Sequence, residues 1–148
     1  MTTMYTIFQS AHSGFRWIAL VLLVATVVIY FIKWRGNTDY TGKDKKLYTI
    51  MLSMLHLQVL IGIVLYFISP KVQFSAATMK TDFLRFFTVE HAFLMLAAAV
   101  VATIGSAKIK RKSANIKFKT GFWFAFATLI LILVGIPWPF QDLGAGWF

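Results

Sequence analysis

The chain has 148 residues, of which 59% are hydrophobic and only 14% are charged, and its formal net charge is +10. A soluble domain of this length carries more charged and fewer apolar residues, so the composition excludes an ordinary soluble domain. The chain contains no cysteine, which excludes disulfides, thiolate metal clusters and haem attached covalently through a Cys-x-x-Cys-His motif.

Four apolar segments separated by short connections account for this composition. Each is close to the ~20 residues that a helix needs to cross ~30 Å of hydrocarbon. They predict an all-α fold, an integral membrane four-helix up-down bundle that forms one domain over residues 1–148. The predicted helices cover about residues 11–33, 47–69, 86–107 and 119–137.

The first and third connections hold most of the basic residues. These are Lys33, Arg35, Lys43, Lys45 and Lys46 near the first, and Lys108, Lys110, Arg111, Lys112, Lys117 and Lys119 near the third. The chain before Arg16 and after Phe140 has no lysine or arginine. This alternation is the positive-inside pattern, which predicts cytoplasmic loops one and three and both termini outside. Charge placed in this way indicates a lipid bilayer as the partner and argues against nucleic acid.

The first helix contains His12 and Arg16, one turn apart on the same face. Arg16 has three interpretations: an ion pair with Glu90, a side chain that reaches out to the interface, or a contact with haem propionates. Its fixed charge and its donor geometry suit an anionic group such as a propionate.

Three histidines lie on three different helices, and their depths decide which of them can meet. At ~1.5 Å per residue, His12 lies ~14 Å and His91 ~8 Å outward of the midplane, whereas His56 lies ~3 Å on its inner side. Helix tilt closes the gap of ~6 Å between His12 and His91 more readily than the ~11 Å between His56 and His91. Helices 1 and 3 are diagonal in an up-down bundle, so we expect His12 and His91 to face each other across the centre, where a haem fits. For His56 and His91 a hydrogen bond to a neighbouring helix is the competing interpretation, and for His12, near the interface, it is solvation.

The third helix carries the pair Glu90 and His91 inside an apolar segment. Ionisable groups at this depth are costly and usually functional. Glu90 pairs with Arg16 in one interpretation and fixes the tautomer of a ligand histidine in another. Because adjacent helix residues point ~100° apart, Glu90 serves His12 or Arg16 more easily than His91. The segments FQSAH and FTVEH, which end at His12 and His91, form a faint internal repeat.

Small residues on helices 3 and 4 predict where these two helices pack most closely. They recur on one face of each helix. They are Ala98, Ala102 and Gly105 on helix 3, and Gly121, Ala125, Thr128 and Gly135 on helix 4. Pro137 and Pro139 are expected to end helix 4.

Short motifs on all four helices resemble a known family. The segments AHSGFRW, LHLQVLIGIVLYFISP, FTVEHAF and IPWP are similar to those of small four-helix bacterial membrane proteins catalogued as cytochrome b-like. The resemblance covers nearly the whole chain. It implies non-covalent haem b, histidine ligation and a redox setting in the bacterial inner membrane, with a respiratory-chain component or a quinone as partner. By position it carries over as cofactor-binding residues His12, Arg16, His56, Glu90 and His91.

The leading hypothesis is a membrane-embedded b-type haem protein that transfers single electrons, as an electron carrier or redox subunit rather than a complete enzyme. His12 and His91 hold the iron in the outer half, and His56 is an alternative ligand or part of a quinone or proton site. One alternative is a non-catalytic membrane subunit or assembly partner whose polar residues lock the bundle. The other is a histidine-bound copper or zinc site.

Overall fold

The computed structural model describes residues 2–143, so Met1 and residues 144–148 of the predicted domain lie outside the described residues. Within residues 2–143 the protein has four helices that are long and apolar enough to cross a membrane, and it has no strand. The helices are α1 (Thr2–Arg35), α2 (Gly42–Ile68), α3 (Asp82–Lys110) and α4 (Ala114–Gly135), followed by a 3₁₀ turn at Pro139–Gln141. The predicted all-α class with four membrane helices is confirmed. The up-down order and the outside location of the termini stay predictions.

Each helix begins earlier than the apolar segment that predicted it. The start of α2 shows why, because Asp44 in its first turn accepts hydrogen bonds from Thr41 N–H (2.9 Å) and Thr41 Oγ1 (2.7 Å). A carboxylate three residues after the N-cap satisfies backbone donors that the helix leaves open. Apolarity therefore marks the length that lies in hydrocarbon, while capping decides where the helix starts.

The helices form a closed ring of contacts. α1 packs against α2 and α4, and α3 packs against the same two helices. The α3–α4 contact is the most extensive of the four, and the α2–α3 contact is the slightest. This ring places α1 and α3 at opposite corners of the bundle.

The predicted close packing of small residues is confirmed. All seven of these small residues are buried: Ala98, Ala102 and Gly105 on α3, and Gly121, Ala125, Thr128 and Gly135 on α4. A Cβ added at Gly105 would collide with the Tyr48 hydroxyl, and one added at Gly121 would collide with the ring of Tyr30. Glycine at these two positions lets whole side chains from α1 and α2 enter the contact.

A buried polar cluster ties the helices together at the end that carries the basic connections. Asp44 is only 3% exposed and pairs with Lys33 (Nζ–Oδ1 2.5 Å). Tyr30 Oη donates to the backbone carbonyl of Asp44 (2.8 Å), and Tyr48 Oη donates to the carbonyl of Ala102 (3.2 Å). These bonds satisfy groups that are costly to bury unpaired. At the opposite end of the bundle, His12 on α1, His91 on α3 and the C-terminal end of α4 lie close together.

One π-helical turn interrupts α3 at Phe86–Glu90, directly before His91. Its defining bond runs from the His91 N–H to the carbonyl of Phe86, five residues earlier. The carbonyl of Thr88 within the turn accepts a hydrogen bond from Tyr66 Oη on α2 (2.7 Å). A π turn inserts one residue into the helical repeat and changes which side chains share a face. The direction of His91 therefore depends on this turn.

Candidate functional site

His12 on α1 and His91 on α3 meet across the bundle. Their ring centroids lie 6.2 Å apart and their planes are inclined by 77°. When two imidazole nitrogens lie on opposite sides of a metal ion, each at about 2 Å, the ring centroids are on the order of 6 Å apart. The separation of these imidazoles therefore suits a metal centre between them.

The hydrogen bonding of His91 determines which of its nitrogens is free to bind. Its Nδ1 lies 2.6 Å from the backbone carbonyl oxygen of Gly135 on α4. A carbonyl only accepts, so Nδ1 carries the proton and donates. In the neutral ring the lone pair is then on Nε2, which is the arrangement that metal-binding histidines usually have.

His12 has a different environment. Its Nδ1 is buried and has no hydrogen-bond partner among residues 2–143. The ring packs on Gly62 of α2, where an added Cβ would lie 3.3 Å from His12 Cε1. The backbone carbonyl of His12 accepts a hydrogen bond from Gln58 Nε2 (2.7 Å). α2 thus supports the helix at His12 while one ring nitrogen keeps an unused hydrogen-bonding position.

Gln58 is a site residue that sequence reasoning missed. Its Oε1 is buried and unpartnered within the described part of the chain, although its amide nitrogen is engaged by the carbonyl of His12. A buried amide inside an otherwise uncharged membrane segment is a signal in its own right, because such groups are expected to find partners. The sequence contains that signal, but it does not reveal which helix the amide contacts.

A cavity of about 330 Å³ lies beside the two histidines, and Arg16 and Gln58 also line it. Its walls are otherwise mostly apolar and include Leu55, Val59, Ile63, Ala92, Met95 and Ile132. Phe67 and Leu96 line it while being 80% and 49% exposed, so it opens between α2 and α3. A volume near the lower end of the ~300–1,000 Å³ range of ligand pockets, with few polar groups, is typical of a small-molecule site.

Arg16 supplies a cation to this cavity. It lines the cavity wall as His12 does, one turn further along α1. Its guanidinium carbon lies 5.3 Å from the ring centroid of Trp17, a contact that supports a guanidinium against an aromatic face. The predicted grouping of Arg16 with His12 and His91 around one space is therefore present.

Glu90 has a different partner from the ones that the sequence suggested. Its Oε1 lies 2.6 Å from Nε of Arg85, and Arg85 also contacts Asp82 (2.9 Å). Residues five apart share a face in a π turn, which explains the pairing of Arg85 with Glu90. Glu90 therefore braces the turn before His91, and its carboxylate pairs with Arg85 in place of Arg16 or a ligand histidine.

His56 lies apart from the other two histidines, on an exposed face of α2. Its Nε2 lies 2.9 Å from Thr103 Oγ1 on α3, and Thr103 Oγ1 donates its proton to the carbonyl of Ala99 (2.7 Å). Because that hydroxyl has only one proton, His56 Nε2–H is the donor to Thr103. His56 is not among the residues that line the cavity. Its hydrogen bond connects α2 to α3, the pair of helices with the slightest of the four contacts.

A second cation lies near the His91 end of the bundle, in the connection between α2 and α3. Lys71 Nζ is 4.8 Å from the ring centroid of Phe87 and 5.9 Å from that of Phe83. Partial burial lowers the pKa of the Lys71 ammonium from its usual value. The Phe87 ring is in turn 6.4 Å from the His91 ring. The connection therefore packs onto the π turn and helps to enclose His91.

Between Thr2 and Leu143, no group of three or more histidine, cysteine, aspartate or glutamate residues is placed to hold a metal ion. The site offers two imidazoles, not a three- or four-ligand cage. Comparison with protein-family models, curated proteins and solved structures finds no match for this chain.

Proposed function

We propose that this chain is a membrane-embedded b-type haem protein that transfers single electrons, in which His12 and His91 would hold the haem iron. The observation that carries the proposal is the 6.2 Å separation of these two imidazoles at the wall of an apolar cavity. Haem b, when bound, supplies an iron centre that gains and loses one electron.

The donor set favours haem over a simple metal ion. Zinc and copper sites in proteins use three or four protein ligands, and the described residues place no such group together. Haem would bring most of the iron's ligands with it, so the protein would need to supply only two. Two imidazoles from diagonal helices meet that requirement, so copper and zinc become the weaker alternatives.

The residues around the histidines have roles that follow from their contacts. Gly135 holds the His91 ring through its carbonyl. Arg16 lines the cavity, and its positive charge would attract the carboxylates of a bound molecule, such as haem propionates. The apolar wall excludes water from the site, and low polarity strengthens the electrostatic contacts inside it. Glu90 and Arg85 keep the π turn in place beside His91.

The proposed setting is a bacterial inner membrane, with loops one and three in the cytoplasm and both termini outside. The basic connections support this orientation. An up-down order is supported by the position of the site near the start of α1 and α3 and near the end of α2 and α4. The cavity opens toward lipid between α2 and α3, which suits a membrane-bound respiratory component or a quinone as partner.

The second candidate function is a non-catalytic subunit whose polar residues lock the bundle. Specific hydrogen bonds favour it, because His56 with Thr103 and His91 with Gly135 both connect neighbouring helices. It does not account for the apolar cavity that His12, Arg16 and His91 line together.

The test is the absorption spectrum of detergent-purified protein, expressed with haem supplied, before and after dithionite reduction. We expect a Soret band and a low-spin reduced spectrum. His91→Ala should abolish haem retention, and His12→Ala should lose haem or make it high-spin. His56→Ala is the matched control and should leave the reduced spectrum intact.

Two outcomes would contradict the proposal. A wild-type protein without a Soret band under these conditions removes the haem hypothesis and favours the bundle-lock function. Loss of haem in His56→Ala, with retention in His12→Ala, would instead make His56 and His91 the ligand pair.

A further inference from the structure

The C-terminal end of α4 leaves a backbone carbonyl that its own helix cannot satisfy. In an α-helix the carbonyl of residue 135 would accept from the N–H of residue 139. Here the chain leaves helical geometry at Ile136, whose ψ is 131°, and residue 139 is Pro139, which has no N–H. His91 Nδ1–H donates a hydrogen bond to the Gly135 carbonyl oxygen instead, at 2.6 Å.

The carbonyl of Leu133, two residues earlier, also accepts a hydrogen bond from a side chain in place of a backbone N–H. Pro137 removes the donor that would reach the carbonyl of Leu133. The indole Nε1 of Trp138 donates to that carbonyl at 2.8 Å. The IPWP segment thus leaves two carbonyls without a helical donor. Trp138 in the same segment donates to the carbonyl of Leu133, and His91 on α3 donates to that of Gly135.

The approach of α4 to α3 at this point requires glycine. A Cβ added at Gly135 would lie 2.5 Å from Met95 Cε and 3.0 Å from Leu94 Cβ. Any other residue would push the helix away and lengthen the bond to His91. Gly135 therefore allows the close approach, while the end of the helix at Ile136 leaves its carbonyl open for His91.

We infer that this end of α4 fixes His91 as the permanent ligand of the site and leaves His12 as the ligand that a small neutral donor molecule displaces. A hydrogen bond to the far nitrogen fixes the tautomer of a ligand histidine and raises its basicity. His91 has that bond, whereas His12 Nδ1 has no such partner among residues 2–143. The His91 half of the inference stands on the hydrogen bond alone, and the His12 half rests on the proposed function.

The displacement is a ligand exchange without redox chemistry. His12 would leave the iron and the incoming donor would take its place, with no electron or proton transferred. His12 and Gln58 both line the cavity, so a released His12 ring would stay close to Gln58. Carbon monoxide and imidazole belong to the class of ligand that this position accepts.

The His91 half is tested without haem, by nitrogen NMR of the full-length, detergent-purified protein labelled at histidine. Loss of one signal in His91→Ala assigns the resonance. We expect His91 to carry its proton on Nδ1 and to exchange it slowly. Gly135→Ala should abolish this signature, while Gly121→Ala, an equally crowded position on the same helix, should retain it. A proton on Nε2 of His91 would overturn the inference.

The His12 half is tested by adding carbon monoxide to the reduced, haem-loaded protein. We expect the wild type to bind carbon monoxide and, where His12→Ala retains haem, the two adduct spectra to be the same, since His91 would be the remaining protein ligand in both. Gly135→Ala should weaken haem affinity by roughly 10–100-fold. A wild type that binds no carbon monoxide, or an adduct that differs from that of His12→Ala, would overturn the assignment of His12. If no haem binds, this half fails with the proposed function, while the NMR result on His91 still stands.

Discussion

A polar side chain inside an apolar helix is costly unless a neighbour satisfies it. His56 and His91 each have a fixed partner, in Thr103 and the Gly135 carbonyl. His12 Nδ1 and Gln58 Oε1 are buried without one in the part of the chain that the structure describes, and both residues line the same cavity. The unsatisfied polar atoms of α1 and α2 therefore lie at one place, the cavity.

Gln58 provides a prediction at this scale. Gln58→Leu removes a hydrogen bond to the carbonyl of His12 and also removes an unsatisfied buried acceptor. Because these effects oppose each other, the free energy of unfolding of haem-free Gln58→Leu, measured in denaturing detergent, should lie within about 1 kcal/mol of the wild-type value. Gln58→Glu, which buries a charge, is the contrasting variant and should be clearly less stable. A loss of several kcal/mol in Gln58→Leu would show that Oε1 already has a protein partner.

The ion pair before His91 gives a second prediction. Glu90 contacts Arg85 in the structure, so the destabilisation caused by Arg85→Gln should be partly relieved by adding Glu90→Gln. Adding Glu90→Gln to Arg16→Gln should give no such relief. The measurement is a double-mutant comparison of thermal melts in detergent. Relief in the Arg16 series alone would restore the ion pair between Arg16 and Glu90.

At the scale of the helices, the small-residue faces of α3 and α4 were predicted correctly because helical spacing alone puts them on one side. The π turn at Phe86–Glu90 was not predicted. Its apolar residues suit an α-helix equally well, and only tertiary bonds, such as Tyr66 to the Thr88 carbonyl, distinguish the two. The partner of Glu90 was missed for the same reason, since the turn changes which residues share its face.

The glycines of the α3–α4 contact give a prediction for this scale. Gly105→Ala and Gly121→Ala force a methyl group against Tyr48 and Tyr30 respectively. Each should destabilise the protein by roughly 1–3 kcal/mol, the usual cost of overpacking. Gly14→Ala is the matched control, since an added Cβ there meets nothing within 4 Å. It should leave stability unchanged or raise it by up to about 1 kcal/mol through helix propensity. Equal losses at all three positions would contradict the packing argument.

For the site, depth along the helices was enough to predict that His12 and His91 approach each other, and their rings lie 6.2 Å apart. Depth gives no information on rotation about the helix axis. The outward direction of His56 and the inward direction of Gln58 are set by the rotation of α2 about its axis. The spacing of residues along one helix does not reveal that rotation. The rotation depends on how α2 packs against α1 and α3.

At the scale of the whole molecule, the two ends of the bundle differ in chemistry. One end carries the basic connections and the buried pair of Asp44 with Lys33. The other carries His12, His91 and the cavity. Orientation in the membrane therefore decides on which side of the bilayer the site operates.

The chain offers a direct test of orientation because it has no cysteine of its own. Basic residues are retained on the cytoplasmic side during insertion, so Ser113, in the basic connection between α3 and α4, should be cytoplasmic. Ser75, in the connection between α2 and α3, should be outside, as should tags at both termini. Both serines are exposed, so single Ser75→Cys and Ser113→Cys variants should be equally reactive once the membrane is opened. In intact cells, a membrane-impermeant maleimide should label Ser75→Cys and leave Ser113→Cys unlabelled. The reverse pattern would overturn the orientation and move the His12–His91 site to the cytoplasmic half of the membrane.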